Sequence, residues 1–175
     1  MDEGTEVKDA RQTALSAELI PGMAVALRWL RAQGYPLALV ADARADTPLN
    51  VLKQHGLLDL FDCLSVSETV GAEKPDARLF LHALQALQIP EQDYARVMMV
   101  GNNLERDIAG ANGLGLRSVY FHVNDRRRSI PGNRAEAPRH TVETAQELLD
   151  LVATLSVEVA RDQPPRGLGK AEEQP

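Results

Sequence analysis

Cysteine is almost missing from this chain. A single residue, Cys63, stands among 175, which excludes an internal disulfide framework and any zinc site built on several thiolates. It lies in the apolar run FDCLSV and is expected to pack as a small hydrophobe rather than to react. An excess of positive charge is also lacking: 19 Lys and Arg stand against 25 Asp and Glu, a formal net charge of −6. A nucleic-acid binder needs a basic face to neutralise phosphates, so nucleic acid is not an expected partner. No apolar run is long enough to cross a bilayer, and the start, MDEGTEVKDARQ, lacks the basic beginning and apolar core of a signal peptide. The expectation is a soluble cytoplasmic protein without membrane contact. The histidines His55, His82, His122 and His140 show no metal-ligand spacing, there is no glycine-rich dinucleotide fingerprint, and no internal repeat is visible.

What is there suits one packed domain: 175 residues, 44% of them hydrophobic. Residues 6–18 carry no breaker and could form a helix. Pro21 and Gly22 open a second one, MAVALRWLRAQ, with Gly34 beyond its end; Val25, Leu27, Trp29 and Leu30 are read as its buried stripe. PLALV (36–40) is a continuous apolar run, the mark of a strand covered on both faces. Helix 47–56 with Asp46 as its cap, strand 63–67, an amphipathic helix 76–88 with Asp76 at its start, strand 96–100, helix 104–114, strand 118–121 and a closing helix 142–155 follow. Arg126, Arg127 and Arg128 form a basic run in a polar loop, read as solvated. The expected organisation is an N-terminal helical remnant over 1–20, a core over 21–156 and a disordered tail over 157–175, rich in proline, glycine and charge.

Strands alternating with helices imply an α/β fold with a mainly parallel sheet. In such sheets ligands bind beyond the carboxyl ends of the strands. Those ends carry Ala41-Asp42, Ser67-Glu68, Gly101-Asn102 and His122. The loop GNNLERD leaves a strand and feeds a helix, so free N–H groups point to the crevice. Asp107 there could orient a lysine or hold a metal-bound water. Equally, Asn102 and Asn103 could be plain turn residues. In EKPDARLF, Lys74 sits at a helix entry, where its point charge can neutralise a phosphate or a carboxylate; a surface lysine in a loop is the other reading.

Taken together, LALVAD, VSETVGAEKPDARLF and VMMVGNNLERDIAGANGLGLRSVYF resemble the haloacid dehalogenase (HAD) superfamily, mostly phosphatases, in motif order and spacing. The likeness runs from about Pro21 to about Leu155. It implies a Rossmann-like three-layer sandwich and Mg²⁺-dependent hydrolysis of small phosphorylated molecules through an aspartyl-phosphate. Carried over by position, Lys74 matches the charge-stabilising lysine and Asp107 the second acid of the last motif. Asn102 falls at the direct Mg²⁺ ligand, and Ala41 where a Ser or Thr should bind the phosphoryl group. Asp42 is the neighbouring candidate for phosphate contact or for a recruited nucleophile.

The nucleophile strand with its DxD motif is missing; MDEGT is only superficially similar to it. The resemblance places that strand in mid-sheet, between 36–40 and 96–100. Its absence predicts unpaired inner edges, a truncated chain in which helix 6–18 ends a lost cap domain, and very low turnover. A non-catalytic binding or scaffold module is the first alternative. A domain completed by strand exchange with another copy, hence a homo-oligomer, is the second.

Overall fold

A computed structural model describes residues 17–124 and 127–162, with side chains to residue 157. The chain runs α1 (Met23–Ala32), β1 (Ala38–Ala41), α2 (Asp46–Gln54), β2 (Cys63–Val66), α3 (Ser67–Val70), α4 (Ala77–Ala86) and β3 (Met98–Gly101). A π-type turn (Leu104–Ile108) then leads into α5 (Ala109–Gly113), β4 (Arg117–Phe121), β5 (His140–Val142) and α6 (Ala145–Asp162). All ladders among the described residues are parallel. β1 pairs with β2, Ala38 opposite Cys63; β3 pairs with β4, Met98 opposite Arg117; β4 pairs with β5, Val119 opposite His140. The strands form two sheets, β1-β2 and β3-β4-β5, with no ladder from β1 to β3. Among the described residues β1 and β3 are therefore not paired directly.

The sheets share one layer between two layers of helices. Successive strand residues point to opposite faces, so Met98 and Val100 pack with Leu30 of α1 and Leu148 and Val152 of α6. Val97 and Met99 pack with Phe80 and Leu84 of α4 and Ala111 of α5, as does Val40 of β1. Gly110 lets α5 lie against α4, since a Cβ there would stand 2.4 Å from the Phe80 ring. Two polar ties set β1 and β2 in register with their helices. Asp62 accepts the Leu37 N–H at 2.9 Å and two Arg31 bonds at 2.8 Å, and these hold its carboxyl below the usual range. Ser65 Oγ, fully buried on β2, donates to Leu79 O of α4 at 2.7 Å.

Several expectations are corrected. On α1 the buried residues are Ala26 and Leu30, while Val25 is 67% and Trp29 37% exposed. Positions 25 and 29 lie one step off the stripe that 23, 26, 27 and 30 make at helical spacing. Asp46 does not cap α2 but is its first residue; Ala45 stands at the cap, and its N–H is taken by Glu68 Oε2 at 2.8 Å. Residues 140–142 form β5, so Val142, where the closing helix was expected to begin, ends a strand instead, and α6 starts later and runs to Asp162. Its start is set by Thr144 Oγ1, which accepts the Glu147 N–H, while Glu147 Oε2 accepts the Glu143 N–H. The T-x-x-E spacing of a reciprocal cap was present in the letters. Residues 17 and 18 have no regular structure; the rest of helix 6–18, Arg126 and residues 163–175 of the tail lie outside the described residues.

Gly110 and Gly113 offer a matched test. Gly110→Ala must displace the Phe80 ring and should cost about 1–3 kcal/mol. Gly113→Ala meets nothing within 4 Å and should add about 0.4–1 kcal/mol by restricting the unfolded chain. Urea unfolding of the two variants checks both signs.

Candidate active site

The carboxyl ends of β1 and β3 meet at Lys74. This residue lies in the connection from α3 to α4. Asp76 ends that connection as the cap of α4, its carboxylate accepting the Arg78 N–H at 2.9 Å. The Arg78 guanidinium and backbone N–H hold Asp76 down at about 2. Its contribution to the cap is therefore complete above the ordinary value of 3.8 and is lost only as pH falls through about 2.

From this anchored connection Lys74 reaches across the gap. Its Nζ donates to Val40 O of β1 at 3.1 Å and to Asp107 Oδ1 at 2.7 Å. The Lys74 and Asp107 side chains are only 12% and 7% exposed. Asp107 is held from its other side by the Asn103 N–H, which donates to Oδ2 at 3.0 Å. Gly101 makes room for it: a Cβ there would stand 2.4 Å from Asp107 Cβ, Cγ and Oδ2. The glycine after β3 is thus required by the carboxylate that folds back over it.

Asp42 joins the same group. Its Oδ1 accepts the Lys74 backbone N–H at 2.9 Å and its Oδ2 accepts from Arg106 Nη1 at 3.0 Å. Arg106, not singled out in the sequence, also lies 3.7 Å from Glu73. The signal was its place directly before Asp107, where a helical turn swings it towards β1. Two cations, Lys74 and Arg106, therefore face three carboxylates, Asp42, Asp107 and Glu73. A phosphate dianion entering this group meets no excess of positive charge.

The remaining expected residues divide. Ala41 ends β1 with a methyl group that offers no hydrogen bond. Asn103, not Asn102, is the turn and capping residue: its Oδ1 accepts the N–H groups of Glu105 and Arg106 at 3.0 and 3.1 Å. Asn102 is exposed. Ser67 Oγ accepts the Ala43 N–H and donates to Ala43 O, and so fixes the turn after β1. His122 stacks on Tyr120 with ring centroids 5.9 Å apart and lies 3.8 Å from Glu143, away from this group. Burial pushes the Cys63 thiol up, in keeping with packing. Beside Lys74, Asp42, Arg44, Ser67, Glu68 and Glu73 line an open cleft of about 480 Å³.

The donors for a metal are few. Among the described residues no group of three or more His, Cys, Asp or Glu side chains converges on a metal position. Asn102 offers a neutral amide oxygen, and both oxygens of Asp107 are already engaged. Mg²⁺ favours charged oxygen donors in near-octahedral array, so the residues present do not by themselves make a Mg²⁺ site.

Strand-end lysine, glycine loop and folded-back aspartate define a class. A family model for haloacid dehalogenase-like hydrolases matches residues 2–115, and the chain belongs to that family. The match begins nearer the N-terminus than the motifs alone suggested. A ribulose-1,5-bisphosphate 5-phosphatase from Halopiger xanaduensis is 34% identical over 139 residues, covering 77% of this chain and 57% of the relative. A glyceraldehyde 3-phosphate phosphatase from Methanopyrus kandleri is 29% identical over 136 residues, covering 78% and 57%. The crystal structure of a HAD phosphatase from Thermococcus onnurineus superposes with a TM-score of 0.67 at 29% identity, over 77% of this chain and 58% of that one. The chain therefore spans little more than half the length of these relatives.

Lys74→Met should strand the buried Asp107 carboxylate and cost about 3–5 kcal/mol in urea unfolding. Glu73→Ala, which removes an exposed and distant ion-pair partner, should change stability by less than about 1 kcal/mol.

Proposed function

We propose that this chain carries the phosphate-ester site of the HAD-like hydrolases in a form with very low turnover. The family chemistry is Mg²⁺-dependent hydrolysis of a small phosphorylated molecule through an aspartyl-phosphate. The phosphatase relatives support the substrate class. The observation that carries the low turnover is the state of the two crevice carboxylates nearest Lys74. Asp42 is tied by Lys74 N and Arg106, and Asp107 by Lys74 Nζ and Asn103 N. A nucleophilic carboxylate needs an oxygen free to approach phosphorus in line, and neither offers one without breaking a hydrogen bond or an ion pair.

The roles that follow are limited. Lys74 places an ammonium where charge would gather on a bound phosphoryl group, and Asp107 orients that ammonium. Ala41 supplies no donor to the phosphoryl oxygens. Arg106 pairs with Asp42 Oδ2. Asn102 and Asp107, the positions that the family likeness assigns to Mg²⁺, do not by themselves make a site for it. A non-catalytic binding module is the second reading. It is favoured by the pairing of Ala41 with the exposed amide of Asn102, since two changes together weaken both phosphate contact and metal binding.

With p-nitrophenyl phosphate and millimolar Mg²⁺, the folded chain should hydrolyse substrate at or near the enzyme-free rate, and Lys74→Ala should do no worse. A clear rate that disappears in both Lys74→Ala and Asp42→Asn would show that Asp42 leaves Arg106 to act as nucleophile, and would overturn the proposal.

A further inference from the structure

We propose that Arg128 is an ionic latch on the π-type turn: its contact with Glu105 keeps Arg106 on Asp42, and release of that contact frees Asp42 Oδ2. The turn (Leu104–Ile108) carries three charged residues in a row, each tied to a different part of the chain. Glu105 Oε1 accepts from Arg128 Nη2 at 2.8 Å, in the connection from β4 to β5. Arg106 Nη1 donates to Asp42 Oδ2 at 3.0 Å, just after β1. Asp107 Oδ1 accepts from Lys74 Nζ at 2.7 Å, just before α4. Successive side chains on a helical turn diverge by roughly 80–100°, so the three ties pull in three directions. The backbone beneath them stands between two patterns. Asp107 N and Ile108 N both donate to Asn103 O, at 2.9 and 3.2 Å; the first is the α-helical bond and the second the π-helical one. A slip to the first alone would turn the side chains of 105 and 106 to new directions.

Arg128 is firmly fixed at its own end. The Glu136 carboxylate accepts from Arg128 Nη2, from Gly132 N at 2.8 Å and from Asn133 Nδ2 at 2.7 Å. The Gly132 N–H, and after it the Arg128 charge, hold that carboxyl below the usual range. Gly132 leaves room for the guanidinium, since a Cβ there would stand 2.3 Å from Arg128 Nη1. The far side of the loop is fastened by Asn112, whose Nδ2 donates to Ala135 O and Ala137 O at 2.7 and 2.9 Å. The contact with Glu105 is of another kind. The Glu105 side chain is 67% exposed, against 11% for Glu136. An exposed ion pair is weak and screened by salt, while a covered one is screened far less. The Glu105 contact therefore opens first, and it opens without dismantling the loop.

What the latch controls is Asp42. Once the turn slips, Arg106 is drawn off Asp42 Oδ2 towards Glu73, which already lies 3.7 Å from it on the exposed side. Asp42 Oδ1 stays on the Lys74 backbone N–H. Asp107 does not follow, because its two oxygens are held by Lys74 Nζ and Asn103 N in a nearly covered position. Arg128 touches neither crevice carboxylate. It is a positioning residue that acts through Glu105 and the turn. The inference deepens the low-turnover reading of the crevice, since the closed latch is the state in which Asp42 is engaged. Its test reads proton exchange and not turnover, so either proposal can fail alone.

In the full chain, Glu105→Ala removes the contact and leaves Arg128, Gly132 and Glu136 in place. By NMR, the Arg106 guanidinium protons, assigned by their loss in Arg106→Lys, should exchange with water about tenfold faster or more. The Asn103 amide, held by Asp107, should exchange as before. Arg128→Gln, confirmed as folded by circular dichroism, should give the same acceleration, and the double variant should add nothing to it. Should Arg128→Gln fail to fold, Glu105→Ala decides alone. Asp93→Asn, which removes another exposed ion pair, with Arg96, should leave Arg106 unchanged. The proposal is overturned if Arg106 exchanges in Glu105→Ala as it does in the unaltered chain, or if Asp93→Asn speeds it equally. It also fails if the two accelerations multiply in the double variant, or if the Asn103 amide loses protection in step with Arg106, which is general loosening and no latch.

Discussion

The Lys74 ammonium holds the carboxyl ends of two separate sheets together. No ladder joins β1 to β3; at that end of the molecule the Arg106–Asp42 ion pair is one link, and Nζ, which joins Val40 O to Asp107, is the one beside it. The bond is strong because it is nearly dry: with both side chains largely covered, water screens the pair little. The same burial makes it unforgiving, since either partner left alone is an uncompensated charge. Much of the local sequence serves this contact. Gly101 leaves space for the aspartate, Asn103 orders the loop that donates to it, and Asp76 caps the helix that follows the lysine.

That arrangement also limits the chemistry. The carboxylates that could attack phosphorus or hold a metal are the ones that keep the cations in place. Arg106 gives Asp42 a structural duty, and Lys74 gives Asp107 one. The crevice is thus well ordered and close to charge-balanced. Such an arrangement favours holding a group in position over driving phosphoryl transfer, which depends on positive charge aimed at the reacting oxygens. Membership of a hydrolase family and a site with its carboxylates occupied are compatible, because the fold carries the positions while each side chain carries its own chemistry.

Most of the order of strands and helices could be read from the letters, the layers came through the family resemblance, and Lys74 and Asp107 were singled out as candidate site residues although their pairing was not. Strand runs such as LALV and VMMV announce themselves by unbroken apolarity, and helix 76–88 by its period and its capping aspartate. Local signals were misread where two patterns competed. HTVETAQE holds both a β-branched strand end and a T-x-x-E cap, and the strand was missed while its last residue, Val142, was given to the helix. On α1, Trp29 and Val25 were placed in the stripe because they are apolar, although their spacing puts them beside it. Among the described residues no helix is long and apolar enough to cross a membrane.

Sequence by itself determined where most of the strands and helices lie, because periodicity and short-range caps are local properties of the chain. Only the tertiary structure decided what the crevice residues do. Arg106 and Asp42 are 64 positions apart, and nothing in either neighbourhood says that they will meet. Their pairing depends on two strands and a π-type turn arriving at one point, and a carboxylate's availability is a matter of its neighbours in space.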